Sequence, residues 1–190
     1  MASFFQHSLT RDCVFLRKGD TLTAKVHPSM TTWTGGTFVR WVDDSTGEPC
    51  VRLADGRFCG ILPSGSSESA DQWNNFTEAS LLTGITTVVF GGNLFATRSY
   101  ETLGYLARNG LGPQVPLVYT ANQKLFVSEN GLITPENESD LGTYGAHNYP
   151  NGDAVVDMSH EVFGLVAVPP NSHNVSMGSN YIVVQTNLGL

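Results

Sequence analysis

The residues in this chain that could carry chemistry are five histidines, three cysteines, the serines and 17 Asp and Glu side chains. Their spacing argues against most enzymatic and metal chemistry. His7, His27, His147, His160 and His173 are far apart. Zinc sites recognisable in sequence bring His or Cys ligands together in close pairs, so polar surface histidines are the expectation. No Gly-x-Ser-x-Gly elbow occurs; Gly65-Ser-Ser-Glu-Ser fails at its last position. Cys13, Cys50 and Cys59 lack the Cys-x-x-Cys spacing of redox or zinc sites, so buried thiols are expected. Asp43-Asp44 falls in a loop where Asp stabilises turns through its own side chain. Glu136-x-Glu138-x-Asp140 alternates like a calcium loop but lacks the central Gly and terminal Glu of that pattern. No phosphate-cradling loop is present: Gly91-Gly92-Asn93 is followed by neither Lys nor a helix. Catalytic, cofactor-binding and metal-ligating residues are therefore all expected to be absent.

The elements that would position these groups read as β almost throughout. Cys13–Lys18 and Thr21–Val26 flank Gly19-Asp20 as a hairpin, and Thr37–Val42 with Cys50–Leu53 forms a second. Arg57–Leu62 follows as the third strand of a meander. Phe38, Arg40 and Val42 share one face while Val39 and Trp41 share the other, so both faces carry apolar groups. Ile85–Phe90 and Leu94–Arg98 flank a Gly-Gly-Asn turn as a further hairpin. Val115–Thr120, Lys124–Ser128, Leu132–Thr134, Val162–Val168 and Tyr181–Thr186 complete the strands. Residues 63–80 are a Ser/Gly-rich segment, and Ser69–Leu82 is a candidate helix with Ser69 as its cap. Residues 134–153 form a long acidic loop without hydrophobic period. Short strands, frequent turn signals and 20 glycines predict an all-β domain, a β-sandwich or β-barrel of antiparallel strands with at most one short helix. The chain reads as one domain, or as two lobes (1–62 and 81–190) joined by 63–80.

Length and charge narrow the function classes. A chain of 190 residues buries roughly 70% of its unfolded surface and needs neither disulfide nor metal to fold. Charged residues are 14% of the chain, against about 25% in typical soluble proteins. All ten Lys and Arg lie in residues 1–124, where ten acids balance them, so the net charge of −7 belongs to 125–190. That distribution argues against nucleic-acid binding, which needs clustered cations. No run approaches the roughly 18 apolar residues of a membrane span, and no secretory signal is expected from the first residues. Five of the seven acids after residue 124 fall in 136–157 and read as a solvated loop, or as an electrostatic surface that repels DNA or meets a basic patch on a partner.

Four aromatics are candidates for partner binding. Phe4 and Phe5 lie on an N-terminal arm (1–10), where two phenylalanines are costly to leave in water and are expected to dock on this chain or a neighbour. Trp33 and Trp73, with Trp41, are either core aromatics or an exposed platform for a sugar or protein hot spot.

A family resemblance accompanies these readings. Leu94-Phe-Ala-Thr-Arg-Ser-Tyr-Glu, Gln114-Val-Pro-Leu-Val-Tyr, Lys124 to Thr134, Val162-Phe-Gly-Leu-Val-Ala-Val-Pro-Pro and Gly178-Ser-Asn-Tyr-Ile-Val-Val-Gln follow one another in order. This succession, over residues 85–187, resembles the decoration, cement or head-stabilisation proteins of tailed-bacteriophage capsids. Residues 1–62 fit more loosely, through Leu16-Arg-Lys-Gly-Asp and Gly60-Ile-Leu. The resemblance implies a non-enzymatic virion protein, made in the host cytoplasm and often trimeric, that binds the major capsid protein on the outer lattice. The alternative is a carbohydrate- or receptor-binding β-domain of a phage tail or fibre.

Overall fold

The computed structural model describes residues 13–17, 19–54, 58–63, 65, 84–90, 92–138, 162–170 and 180–186. These carry eleven strands and one short helix: β1 (Cys13–Arg17), β2 (Asp20–Lys25), β3 (Phe38–Asp43), β4 (Pro49–Leu53), β5 (Gly60–Ile61), β6 (Ile85–Phe90), β7 (Leu94–Thr97), α1 (Tyr105–Arg108), β8 (Lys124–Val127), β9 (Ile133–Thr134), β10 (Gly164–Val168) and β11 (Ile182–Thr186). A six-stranded sheet has the order β1-β7-β11-β10-β8-β9 and a five-stranded sheet the order β2-β6-β5-β3-β4. All neighbouring strands are antiparallel. The domain is all-β, as the strand and turn pattern predicted.

The main core lies between the sheets. Phe38 and Ile61 from the five-stranded sheet meet Phe95, Leu125, Val166 and Ile182 from the six-stranded one. Alternation sends Val39 the other way, into a second core with Val51, Leu62, Val88, Met30 and Trp33. Both faces of β3 are therefore buried at its start, which explains why neither face is polar in the sequence. The five-stranded sheet curls until its outer strands touch: Val26 bridges Val51, and His27 N–H donates to Val51 O at 2.9 Å. That contact covers part of the edge that an open sheet would leave unpaired.

The two sheets share one bent ribbon. Cys13 to Phe15 pair with Thr97 to Phe95, and Asp20 to Lys25 pair with Phe90 to Ile85 in the same overall register. β1 and β2 thus run antiparallel to β7 and β6 in turn, one pair in each sheet. The predicted hairpin pairings of β1 with β2 and of β6 with β7 are not made; Gly19, Asp20, Gly92 and Asn93 sit where the ribbon bends. A register shift between Phe15 and Arg17 accommodates the bend. At the corner Gly19 N–H donates to Asn93 Oδ1 at 2.5 Å, and a Cβ on Gly19 would come within 2.1 Å of Phe90 O. Glycine is required there because the partner backbone passes too close for a side chain.

Other elements differ from their sequence reading for local reasons. β5 pairs with β3, not β4, so 37–62 is not a simple meander. Val115–Thr120 is not a strand: Pro113 and Pro116 remove ladder donors, leaving an isolated Leu103–Pro116 bridge and Leu117 N–H on Thr102 O at 2.9 Å. Strands from both sides of 63–80 occupy both sheets, so the suggested lobes interleave. The candidate helix at 69–82 and residues 139–153 of the acidic loop lie outside the described residues. The helix that is present, α1, comes from Tyr-Leu-Ala-Arg, a tetrapeptide too short to show helical periodicity.

Candidate functional site

Arg108, the last residue of α1, gathers carboxylates from three segments. Its Nη2 donates to Glu138 Oε1, and its Nη1 donates to Leu103 O at 2.7 Å. Its Nε lies 3.6 Å from Glu101 Oε1 and its Nη2 3.7 Å from Glu129 Oε1. Glu101 follows β7, Glu129 sits in the β8–β9 turn and Glu138 follows β9, so one guanidinium ties three connections to the helix. Glu138 is 2% exposed, and its second oxygen accepts Glu129 N–H at 3.0 Å. Glu101 Oε1 accepts Ser128 Oγ–H at 2.7 Å and Asn130 Nδ2–H at 3.1 Å. Glu136 turns inward as well, its Oε2 accepting Tyr105 N–H at 2.7 Å at the start of α1. A Cβ on Gly104 would lie 2.7 Å from Glu136 Oε1, so glycine permits that approach.

The electrostatics of this joint are unusual because it is dry. Burial pushes the Glu138 carboxyl up to about 7, against the opposing pull of Arg108. Burial also works against the charge of Arg108, but Glu138, Glu101 and Glu129 outweigh it and its pKa rises. The reading of 136–157 as a solvated acidic loop is thus corrected for Glu136 and Glu138, whose carboxylates, like that of Glu129, are committed to α1 and its neighbours. Glu136 and Glu138 do not form a calcium-type ligand pair. Among the described residues no cluster of His, Cys, Asp and Glu is arranged to hold a metal ion.

A strap, residues 109–123, runs from this joint to β8. It has no Lys, Arg, Asp or Glu between Arg108 and Lys124. Three of its exposed side chains are large and apolar, Leu111 at 55%, Val115 at 60% and Val118 at 72%, and they alternate with exposed but uncharged Asn109, Gln114, Thr120 and Asn122. Its inward side is fastened. Asn109 Nδ2 donates to Glu129 Oε1 at 3.1 Å, Gln114 Nε2 to Ala107 O at 3.0 Å, and Tyr119 Oη–H to Glu101 O at 2.7 Å and Ile133 O at 3.0 Å. Tyr119 also stacks edge-on against Tyr100, with centroids 5.4 Å apart.

The aromatics named as partner-binding candidates fare differently. Trp33 is 6% exposed and belongs to the second core, which corrects its assignment to a partner surface. Trp41, at 42%, is the exposed tryptophan among the described residues. Phe4, Phe5 and Trp73 lie outside the described residues, as do His7, His147, His160 and His173. His27 Nδ1 accepts Ser29 N–H at 3.1 Å, beside a groove of about 700 Å³ lined by Lys25, Pro28, Thr31, Glu48 and Ile85. The cysteines are free thiols. Burial raises the pKa of Cys50, and that of Cys59 to about 11, which disfavours the nucleophilic thiolate. Asp44 does what an Asp in a turn was expected to do: its Oδ1 accepts Thr46 N–H at 2.8 Å and Glu48 N–H at 3.0 Å.

Arg108 and Glu138 are thirty residues apart and follow no motif, so spacing alone would not have joined them. The strap had one visible signal, its fifteen uncharged residues bounded by Arg108 and Lys124. No protein-family model matches this chain, and no curated protein matches it in sequence.

Proposed function

We propose that this protein is a structural, adhesive component of a virion, a capsid decoration protein that binds the outer lattice and bridges neighbouring subunits of the major capsid protein. The observation that carries this reading is the strap: an uncharged segment with Leu111, Val115 and Val118 exposed, hydrogen-bonded beneath to α1 and the connections of the β-sandwich. Charge is depleted and apolar surface retained at the centres of protein interfaces. A ligand that binds only the assembled shell stabilises that shell by mass action. The resemblance over residues 85–187 supports the same reading and suggests a homotrimer.

The test is co-sedimentation of the purified chain with expanded capsids of the virus that encodes it, with copies counted per capsid subunit. Binding in fixed ratio is expected. The double variant Val115→Asp, Val118→Asp should keep the thermal midpoint and lose at least about tenfold in affinity, since a charge would be buried unpaired. Absence of co-sedimentation, or binding unchanged by both aspartates, would reject the proposal. The exposed ring of Trp41 favours a second reading, a glycan- or receptor-binding module. A glycan array on which wild type binds and Trp41→Ala does not would select it.

A further inference from the structure

Three carboxylates around one guanidinium carry two negative charges in excess when all are ionised, in a place nearly closed to water. Side-chain exposure is 12% for Arg108, 7% for Glu101, 12% for Glu129 and 0% for Glu138. A low-dielectric site accommodates such an excess poorly, and binding one proton relieves it. The joint also shares residues with the strap fastenings. Glu129 holds Asn109, the carbonyl of Glu101 receives the Tyr119 hydroxyl, and Arg108 grips Leu103 next to Thr102, whose carbonyl holds Leu117.

We propose that the joint of Arg108 with Glu101, Glu129 and Glu138 is a proton-operated latch, which fixes the 109–123 strap when it holds one extra proton and loosens it when that proton leaves to solvent. As a regulator of the docking surface this rests on the function proposed above; as a property of the free protein it does not. The charged and titratable groups facing Glu138 and its partners are Arg108 and Tyr105 from α1, and Glu101 and Tyr100 from the segment after β7. Glu129 from the β8–β9 turn, Glu136 after β9 and Tyr119 from the strap complete the set. Tyr100, Tyr105 and Tyr119 are held neutral, chiefly by burial, with ionisation displaced further upward. The proton therefore belongs to the carboxylates, and Glu138, the most enclosed, is where it sits.

The sign follows from linkage. Glu138 binds its proton more tightly folded than unfolded, so its stabilising contribution is full below the usual carboxylate range and is lost as pH rises through about 7. The test uses the full chain, free in solution. Amide hydrogen exchange of Leu111 and Leu117, which bond Leu106 O and Thr102 O, is measured at pH 6 and pH 8, corrected for intrinsic rates, in wild type and Glu138→Gln. Wild-type protection should fall several-fold, about three- to tenfold, between the two values, and the Gln variant should change by less than about twofold. Should the variant fail to fold, carbon NMR of the Glu carboxyls in wild type decides: a Glu138 titration near neutrality supports the latch, and one near the ordinary value rejects it. Equal strap protection at both pH values in wild type, or an undiminished fall in Glu138→Gln, also rejects it. Because these readouts need no capsid, loss of capsid binding alone would remove the docking reading and leave the latch intact.

Discussion

Lys25 at the end of β2 bonds Asp44 at 2.7 Å and Glu48 at 2.6 Å, with the Lys25 and Glu48 side chains 44% and 65% exposed and that of Asp44 7%; Arg108 at the end of α1 bonds Glu138 and sits near Glu101 and Glu129, with none of the four side chains more than 12% exposed. Each is a single cation among carboxylates, which come from the β3–β4 turn for Lys25 and from three separate connections for Arg108. In the exposed group, the hydrogen bond from Lys25, then those from Thr46 and Glu48, hold Asp44 well below the usual carboxylate range. Lys25 rises in turn through its bonds to Asp44 and Glu48. In the buried group, desolvation outweighs the same kind of partnership and Glu138 moves the opposite way. A carboxylate paired with a cation thus titrates in opposite directions in the two groups: hydrogen bonds dominate at Asp44, where desolvation is the smallest cause, and desolvation dominates at Glu138.

The largest expected effect is at the buried cation. Arg108→Met should cost about 3–5 kcal/mol by urea denaturation near pH 7.5, because it strands three carboxylates without a counter-charge. A loss below about 1 kcal/mol would mean that the joint is wetter than its geometry and would erase the contrast. A pH series on wild type sharpens it next. Glu138 makes stability decline as pH rises through about 7, whereas Asp44, lowered in the folded state, contributes above the ordinary carboxylate pKa and loses that only in strong acid. Thermal midpoints should therefore fall from pH 6 to pH 8, a fall that Asp44→Asn retains and Glu138→Gln abolishes. The smallest effect belongs to the exposed group. Lys25→Met should leave the midpoint nearly unchanged, and 1 M NaCl should remove what difference remains while sparing the Arg108 joint, because salt screens exposed charges far more than buried ones. A large, salt-resistant loss at Lys25 would break the comparison from the other side.

For the two proposals the comparison has a practical meaning. The exposed cluster staples the β3–β4 hairpin to β2, where Lys25 closes the curl of the five-stranded sheet, and it responds little to conditions near neutrality. The buried cluster lies under the uncharged strap, so the part of the surface suited to adhesion is also the part whose footing titrates. Glu101, Glu129 and Glu138 face inward beneath the strap, which keeps their charge off its outer face.

What local chemistry dictates was legible in the sequence. Alternation marked the two faces of β3, Phe38 and Arg40 against Val39 and Trp41, and the run Ile85–Phe90 was delimited as the strand it is. Asn130-Gly131 reads as a turn because Gly131 adopts φ +72° there, a conformation that glycine reaches without strain. Gly19-Asp20 and Gly91-Gly92-Asn93 read as hairpin turns, whereas Gly19, Gly92 and Asn93 lie at the corner of a shared ribbon. A turn signal reports local backbone freedom, whereas the sheet a strand joins is settled by pairing partners seventy residues away. The fate of the tryptophans was similarly hidden: Trp33 and Trp41 are equally apolar, and only the curl of the five-stranded sheet buries one and leaves the other half in water. Sequence alone therefore determined the all-β class, the turn chemistry and the charge-free interval from 109 to 123, each a property of neighbouring residues. The tertiary structure alone decided that Glu138 is enclosed, that Arg108 is its partner and that the strap is fastened to both, because burial and dielectric belong to the assembled fold and are encoded in no short stretch of chain.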